Sequence, residues 1–504
     1  MNFLEINNHQ IIPMASIPEL KYSLFFETIA ALTENHPERH CVLYFGLKED
    51  NYVRLICCIA DDNEHNIKVT SSVVKEDEIL DSLSAKHLSF EKFEREIHEN
   101  FRINYNDHPW LKPVRYPENR ADRSKTIANY PFFHIDSEEL HEVGVGPVHA
   151  GIIEPGHFRF VCNGEQILHL EIQLGYQHRG LEQLFLEKKK LIQRTILAES
   201  IAGDSVVGHT SAFAYLLESM NETVCDREIL FSRTLAQELE RIAVHTGDLS
   251  AICTDIAYQL GSSVFGRLRT PIINFFQEWC GNRLAKGLIR NGYSPYPFSK
   301  ALADRLLAIL DAFEPDFIEM NSELSKLPSS LSRFERTGML SYDQLLLIGT
   351  VGMSARMNAL NRDIRITHPY GLYSEFKHEP VIKHHGDVYS RVQIRKQEVF
   401  QSIAFIRQLL DQIPQPQLQP QPQPQLQPII LRPDSFGISL TEGWRGEICH
   451  ACVTDGKGEM LIYKIKDPSF HNWLALALAV RNNEISDFPI CNKSFDLSYC
   501  GHDL

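Results

Sequence analysis

Two cysteines with metal-ligand spacing, Cys449 and Cys452, are the first residues in the chain that suggest chemistry. A Cys-x-x-Cys pair can hold a metal or cycle between thiol and disulfide when both sulfur atoms point to one place. Residues 446–453 are predicted to form a β-strand, and residues three apart on a strand face opposite sides of the sheet. The pair is therefore predicted to be two separate structural thiols rather than a metal site.

Composition limits the partners and the compartment of the chain. Its 504 residues carry a formal charge of −15 at pH 7. This disfavours a nucleic-acid partner, because phosphate recognition requires a basic surface. The 11 cysteines form no paired framework, which favours a reducing cytoplasm. No glycine fingerprint for a dinucleotide follows a predicted strand, so any NAD is expected to be bound by another polypeptide.

Neither a signal peptide nor a membrane span is predicted. The first five residues carry no basic region and include an acid. The longest apolar run, 473–480, is much shorter than the roughly 20 residues of a membrane-spanning helix. Any link to a membrane is therefore expected to come through partner proteins.

The apolar pattern predicts an α+β fold with a strand-rich first part and a helical second part. Strands are predicted at 41–47, 52–60, 69–74, 158–161 and 167–170. Helices are predicted at 90–101, 191–219, 231–260, 301–313, 341–357 and 389–410.

The same pattern suggests a domain division. Residues 1–120 are predicted to be a small α+β domain, 121–141 a linker, and 142–504 a larger, mainly helical domain with a β-rich start. Residues 414–428 alternate Pro and Gln. Because Pro lacks an amide donor, this tract is predicted to be extended. A surface loop is favoured over a ligand for a Pro-binding module.

Two short motifs in the first predicted domain belong to a known pattern. Residues 93–97 read FEREI and residues 106–111 read NDHPWL. This order is similar to the signature of the 30-kDa-type subunit of respiratory complex I, in which an E-R-E helix precedes an H-P-x-L segment.

A longer series of motifs runs in order through the larger predicted domain. It reads GPVHAG, EPGHFR, GYQHRGLE, ELERI, GDVYSRV and EGWRGE, starting at residues 146, 154, 175, 238, 386 and 442. The series resembles large subunits of group 4 (energy-converting) NiFe hydrogenases, of the formate-hydrogenlyase and hydrogenase-4 type, and the 49-kDa subunit of complex I. The resemblance implies a 30-kDa-like domain fused to a hydrogenase large-subunit-like domain.

The chain departs from that family at the metal ligands. In the hydrogenases, two Cys-x-x-Cys motifs supply four thiolates to nickel and iron. Here Ala202 and Ser205 stand in place of the first pair, and Leu497 and Cys500 in place of the second. Because three of the four soft sulfur donors are absent, no metal is expected, and Cys500 is predicted to be a lone buried thiol.

The resemblance also implies which residues line the emptied pocket. They are Asp204, Ser205, His209, Asp496, Ser498 and Cys500. Complex I relatives use this cavity for quinone, with a Tyr near the first lost motif and a His in the opening loop. No Tyr lies between residues 202 and 209 here, whereas His149 and His157 lie in the corresponding loop.

Candidate roles follow from these residue types. The predicted catalytic residues are His149, His157, Asp204 and His209, and the predicted cavity residues are Ser205, Asp496, Ser498 and Cys500. A histidine with a pKa near 6.5 could donate a proton to a reduced quinone, and a carboxylate beside a histidine suits proton relay. A purely structural hydrogen-bonding role is an equal alternative for each histidine.

The resemblance leaves alternative functions open. The favoured one is an oxidoreductase subunit on the cytoplasmic face of the cell membrane that passes electrons to quinone or another acceptor, coupled to ion translocation. It implies an iron–sulfur small subunit with a 4Fe–4S cluster, antiporter-like membrane subunits, and NAD only through another subunit. The chain itself is expected to bind no resident cofactor. The others are a non-catalytic scaffold and a working hydrogenase, which would contain nickel.

Overall fold

The computed structural model describes residues 2–151, 153–414 and 428–504. The strands are β1 Leu4–Ile6, β2 Ile11–Pro13, β3 Glu19–Leu20, β4 Arg39–Glu49, β5 Tyr52–Asp61, β6 Asn66–Lys75, β7 Ile79–Asp81, β8 Asn104–Asn106, β9 His141–Val145, β10 His157–Asn163, β11 Gln166–Gln173, β12 Ser435–Gly443, β13 Gly446–Thr454 and β14 Met460–Lys466. The helices are α1 Tyr22–Thr33, α2 Glu91–Phe101, α3 Leu181–Glu187, α4 Leu191–Ala198, α5 Val206–Met220, α6 Arg227–Asp255, α7 Gln259–Cys280, α8 Lys300–Lys326, α9 Pro328–Phe334, α10 Tyr342–Ile348, α11 Met353–Arg356, α12 Ile364–Thr367, α13 Val388–Leu410, α14 Ser469–Ala479, α15 Phe488–Phe495 and α16 Tyr499–Asp503.

A five-stranded sheet organises the first hundred residues. Strands β1, β6, β5 and β4 lie side by side and antiparallel, and β3 joins β6 in parallel. The long strands β4, β5 and β6 are mostly buried, and α1 and α2 pack against them. The predicted α+β class is therefore confirmed. The predicted strands in this region are present with somewhat longer bounds, and the predicted helix at 90–101 is α2, which begins one residue later.

Strand β2, near the N-terminus, belongs to a second sheet whose other three strands come from the last 70 residues of the chain. Strand β2 pairs with β12 and completes a four-stranded sheet in the order β14-β13-β12-β2. The side chain of Asn8 donates hydrogen bonds to the carbonyl oxygens of His368 and Leu440. One apolar core runs from the first sheet into the long helices. The division into domains at 120 and 142 stays a prediction.

Strand β13 carries the Cys-x-x-Cys pair in the predicted way. Cys449 packs in the core shared by the first sheet and the long helices, whereas Cys452 packs in a separate core beside α3 and α5. Both are buried. The two thiols therefore face opposite sides of the strand, and burial raises the pKa of Cys449 above its ordinary value and that of Cys452 to about 12.

Two of the predicted helices are interrupted. The helix predicted at 191–219 is α4 and α5, separated by residues 199–205, and the helix predicted at 341–357 is α10 and α11, separated by 349–352. Gly352 has a φ of +61°, and a Cβ there would lie 2.1 Å from the Cα of Gly446. Residue 352 therefore has no room for a side chain where the chain passes the β12–β13 hairpin, and the helix is broken at this glycine.

Helices α7 and α8 both continue through a proline. Helix α7, which the sequence did not predict, contains Pro271, and α8 runs past Pro315 to Lys326, beyond the predicted end at 313. The predicted loop at 414–428 lies outside the described residues except at its two ends. Within the described ranges, no helix combines the length and the apolar character that crossing a bilayer requires.

Buried ion pairs connect the helices to the C-terminal sheet. Arg356, at the end of α11, is fully buried. Its guanidinium lies 2.7 Å from an oxygen of Asp363, 2.5 Å from Glu398 on α13 and 3.3 Å from Glu442 on β12. These contacts cross-link elements distant in sequence, and removing one partner would leave buried charge uncompensated.

Ionised Glu238 on α6 should contribute to the free energy of unfolding, and this contribution should be lost in acid. Burial alone would raise its pKa, but Arg241 and Arg365 hold the pKa at about 2, below its ordinary value of 4.5. A carboxyl with a lowered folded pKa stabilises the fold above pH 4.5 and loses that contribution as the pH falls toward 2. We therefore expect the difference in unfolding free energy between the native protein and Glu238→Gln to shrink over this range. Urea unfolding at a series of pH values measures it, and a constant difference would contradict the assignment.

Candidate functional site

The break between α4 and α5 brings Asp204 to a buried arginine on a distant hairpin. Residues 444 and 445 form the turn between β12 and β13. The guanidinium of Arg445 donates two hydrogen bonds to Asp204, at 2.7 Å to Oδ1 and 2.5 Å to Oδ2. The indole nitrogen of Trp444 donates to the backbone oxygen of Asp204 at 2.9 Å. The turn therefore holds residues 199–205 in a non-helical conformation.

Asp496 completes this arrangement from the opposite side. Arg445 donates from Nε to the backbone oxygen of Asp496, and its Nη2 lies 3.9 Å from the Asp496 carboxylate. Ser205 is also close, with its hydroxyl 3.5 Å from Nη1 of Arg445. Burial would raise the pKa of Asp496, but Lys493 and Arg445 lower it below its ordinary value. We call Arg445, Asp204, Ser205 and Asp496 the Arg445 cluster.

Cys500 and Ser498 lie beside this cluster. The hydroxyl of Ser498 caps α16 by accepting from the Gly501 amide and lies 3.5 Å from the sulfur of Cys500. The amide of Cys500 donates to Glu154 at 3.0 Å. Burial, followed by the charge of Glu154, raises the pKa of Cys500 to about 11. Cys500 is therefore a neutral thiol near pH 7 rather than a nucleophilic thiolate.

Arg179 links residues 199–205 to α16, the two segments that correspond to the metal-ligand motifs of hydrogenases. Its Nη2 donates to the carbonyl oxygens of Ile201, at 2.8 Å, and Cys500, at 3.0 Å. Residues 199–205 and α16 are therefore neighbours, as the resemblance implies. Among the residues that the structure describes, no group of three or more His, Cys, Asp or Glu side chains is arranged to hold a metal ion.

The two loop histidines occupy different places. The Nε2 atom of His149 lies 3.5 Å from the hydroxyl of Tyr499, next to Cys500. His157 instead packs against Phe132 on the other face of β10, and its Nε2 is buried without a partner in the described part of the chain. Burial lowers the pKa of both histidines. The structure thus brings His149, but not His157, to the predicted site.

His209 lies one layer deeper, fully buried. Its Nε2 contacts Asp467 at 3.0 Å and its Nδ1 contacts His450 at 3.1 Å. Nδ1 of His450 lies 2.7 Å from the Tyr463 hydroxyl. Burial would raise the pKa of Asp467, but His209 lowers it. Asp467, His209, His450 and Tyr463 thus form one continuous chain of hydrogen-bond contacts in the core.

Two residues that were not among the predicted site residues, Arg445 and Tyr499, are central to the geometry. Arg445 was visible only as part of the EGWRGE motif. Tyr499 precedes Cys500 and occupies the wall of the site with its hydroxyl toward His149. Burial raises the pKa of Tyr499, so its hydroxyl stays protonated and can donate a hydrogen bond. Together, His149 and Tyr499 offer two polar groups beside the charged Arg445 cluster.

Comparison with known proteins supports the ancestry suggested by the motifs. Residues 261–432 match the family described as the 49 Kd subunit of respiratory-chain NADH dehydrogenase. A carbon monoxide-induced hydrogenase of Rhodospirillum rubrum is 28% identical over 357 residues, covering 71% of this chain and 97% of the relative.

Relatives of both functional kinds are similar over most of the chain. Hydrogenase-4 component G of Escherichia coli is 25% identical over 392 residues, covering 78% of this chain and 67% of the relative. An NADH-quinone oxidoreductase subunit from Dehalococcoides mccartyi is 27% identical over 357 residues, covering 70% of this chain and 96% of the relative. The resemblance to hydrogenase large subunits and to the 49-kDa subunit of complex I is confirmed.

Proposed function

We propose that this chain, a homologue of the complex I 49-kDa subunit and of group 4 hydrogenase large subunits, is the acceptor-binding subunit of a membrane-associated oxidoreductase complex. The acceptor would be a quinone, whose head-group would lie against the side chains of His149 and Tyr499, beside the Arg445 cluster. Electrons would come from a 4Fe–4S cluster in an iron–sulfur small subunit, and antiporter-like membrane subunits would couple the reaction to ion translocation. NAD, where used, would bind another subunit.

The contact between His149 and Tyr499 carries this proposal. Complex I relatives hold the quinone with a Tyr and a His, but here no Tyr follows residue 202 in the first lost motif. Tyr499 supplies a phenol from α16 instead, 3.5 Å from the Nε2 atom of His149. A neutral imidazole and a protonated phenol can donate hydrogen bonds to quinone oxygens. Reduction to quinol takes two electrons, which would come from the partner's 4Fe–4S cluster, and two protons, which would come from solvent. His149, protonated from solvent to the imidazolium before each transfer, could pass these protons to the quinone as a general acid.

Tyr499→Phe tests the proposal directly. The purified complex is reduced with dithionite, freed of excess reductant and mixed with decylubiquinone, and reoxidation of its iron–sulfur clusters is followed by absorbance and EPR. We expect the variant to be reoxidised about tenfold more slowly, because one hydrogen bond to the quinone is lost. Tyr52→Phe, at a residue of β5 that is 45% exposed and does not belong to the Arg445 cluster, is the control. Equal rates in the native and Tyr499→Phe complexes would contradict the proposal.

A scaffold function is the second candidate, and the pairing of Asp204 favours it. Both oxygens of Asp204 accept hydrogen bonds from Arg445, so the charges of this pair neutralise each other. A pocket closed in this way could hold subunits together without electron transfer. In that case the reduced native complex would show no quinone-dependent reoxidation. Nickel at one atom per complex, measured by elemental analysis, would instead indicate a hydrogenase.

Asp204→Asn separates a relay from a structural role for this carboxylate. A relay role predicts quinone-dependent reoxidation that is about tenfold slower, with little change in melting temperature, because an amide cannot shuttle a proton. A structural role predicts a lower melting temperature together with a normal rate. The same reoxidation assay and a thermal scan of each complex give both readouts, and Asp316→Asn on the exposed surface of α8 is the matched control.

A further inference from the structure

A cavity of about 650 Å³ lies outside the Arg445 cluster. Helix α2, the segment 109–114, strand β11 and helix α14 form its walls, and none of its lining residues belongs to the cluster. Trp473 lines the cavity, and its ring contacts Tyr499 at a centroid distance of 4.9 Å. Trp473 therefore stands between this cavity and the proposed quinone site. The volume is in the range of small-molecule sites, about 300–1,000 Å³.

The walls of the cavity are apolar with an excess of positive charge. The apolar lining includes Trp110, Leu111, Leu170, Trp473, Leu474 and Leu478. The charged lining consists of four basic residues, Lys92, Arg95, Lys112 and Arg481, and two acidic residues, Glu91 and Glu171. An excess of two positive charges in a chain with a net charge of −15 is a local exception that favours an anionic occupant.

Two of these basic residues have no carboxylate partner within the described ranges. Arg95 pairs with Glu91 and Lys112 pairs with Glu171. The ammonium of Lys92, in contrast, donates to the backbone oxygen of Phe470 at 2.6 Å. The guanidinium of Arg481 has a contact with the Nδ1 atom of His169 at 3.2 Å. Both cations therefore retain unused capacity to bind an anion.

A buried imidazole in the same lining has an unsatisfied nitrogen. His502 is 2% exposed, and its Nδ1 contacts Asp503 at 2.8 Å. Its Nε2 atom is buried with no hydrogen-bond partner in the part of the chain described. Buried polar atoms are nearly always paired, so this unpaired nitrogen is an exception at a residue that lines the cavity.

From these observations we propose that the cavity binds a small amphipathic carboxylate, with its apolar body against Trp110 and Trp473 and its charged end toward Lys92 or Arg481. Charge selects an anion, and the apolar walls select a compound with an aliphatic or aromatic body rather than a free inorganic anion. A medium-chain fatty acid and an aromatic carboxylate share this chemistry.

Tryptophan quenching by a brominated fatty acid measures the binding. Decanoate with a terminal bromine is titrated into the purified full chain, and the fluorescence of its four tryptophans is recorded. We expect saturable quenching that weakens in Trp110→Phe. Unlabelled decanoate should displace the probe, and decanol, which lacks the charge, should not. Displacement at lower concentration by 2-naphthoate than by decanoate would identify an aromatic ligand, and the reverse order an aliphatic one.

Charge variants decide whether the cavity is the site. Lys92→Met and Arg481→Met should each weaken decanoate binding by about tenfold, as expected for loss of a charge-assisted contact. Lys300→Met, at a lysine whose side chain is 74% exposed, should leave binding unchanged. Non-saturable quenching, equal displacement by decanol, or unchanged affinity in both cavity variants would overturn the proposal. Thermal scans of the variants confirm that each is folded.

Discussion

Replacing Arg356 with methionine is expected to lower the free energy of unfolding by about 3–5 kcal/mol. The guanidinium is fully buried and contacts the carboxylates of Asp363, Glu398 and Glu442. Burial would raise the pKa of Glu398, but Arg356, followed by His245 and Arg241, lowers it far below its ordinary value, so this carboxylate is ionised near pH 7. Without Arg356 a buried negative charge loses its main partner.

The loss of stability in Arg356→Met depends on how well the other partners of Glu398 compensate its charge. His245 lies 2.7 Å from Glu398 and Arg241 lies 3.4 Å away, so the carboxylate keeps some stabilisation. Arg356→Lys keeps a charge but cannot span three carboxylates, and we expect it to fall between the native protein and Arg356→Met. Urea or thermal unfolding measures all three.

A surface arginine supplies the control for Arg356. Arg267, whose side chain is 62% exposed, pairs with Asp316 at 2.5 Å. Exposed pairs contribute about 0–1 kcal/mol, so Arg267→Met should change stability little. If Arg356→Met and Arg267→Met were equally stable, the buried network would not carry the stability assigned to it.

The strands and many of the helices could be predicted from sequence because local patterns determine them. Alternating and continuous apolar residues identified β4, β5 and β6, and helical spacing identified α2 and α13. Helices α7 and α8 each continue through a proline, since burial of their apolar faces outweighs the lost backbone hydrogen bond. Local propensity thus failed where long helices are held by packing.

The family resemblance suggested some residues of the candidate site but not the contacts that join them. The family resemblance predicted Asp204, Ser205, Asp496 and Cys500 as residues of one pocket, and their roles stay a prediction. The bond between Arg445 and Asp204 joins residues 241 positions apart, which no local pattern encodes. The break in the predicted helix at 199–205 has the same cause, because distant Trp444 and Arg445 side chains hold that backbone.

Replacing Arg445 with methionine is expected to slow quinone-dependent reoxidation of the complex about 100-fold, a loss typical of removing a preorganised charged donor. Arg445 is 4% exposed and stacks on the ring of Trp444 at 4.0 Å. Burial would lower its pKa, but Asp204 and Asp496 raise it, so it stays charged. Its removal leaves those two carboxylates without their shared partner and removes the link between residues 199–205 and Asp496.

Arg445→Lys distinguishes charge from geometry at this position. A lysine ammonium restores the positive charge but cannot donate two parallel hydrogen bonds to Asp204 while also reaching Asp496. We therefore expect Arg445→Lys to recover the melting temperature more than the reoxidation rate, whereas Arg432→Met at an exposed position should affect neither. A rate restored fully by lysine would mean that only the charge matters. A rate unaffected in Arg445→Met would mean that electrons leave the complex without using this pocket, and the scaffold function would then be favoured.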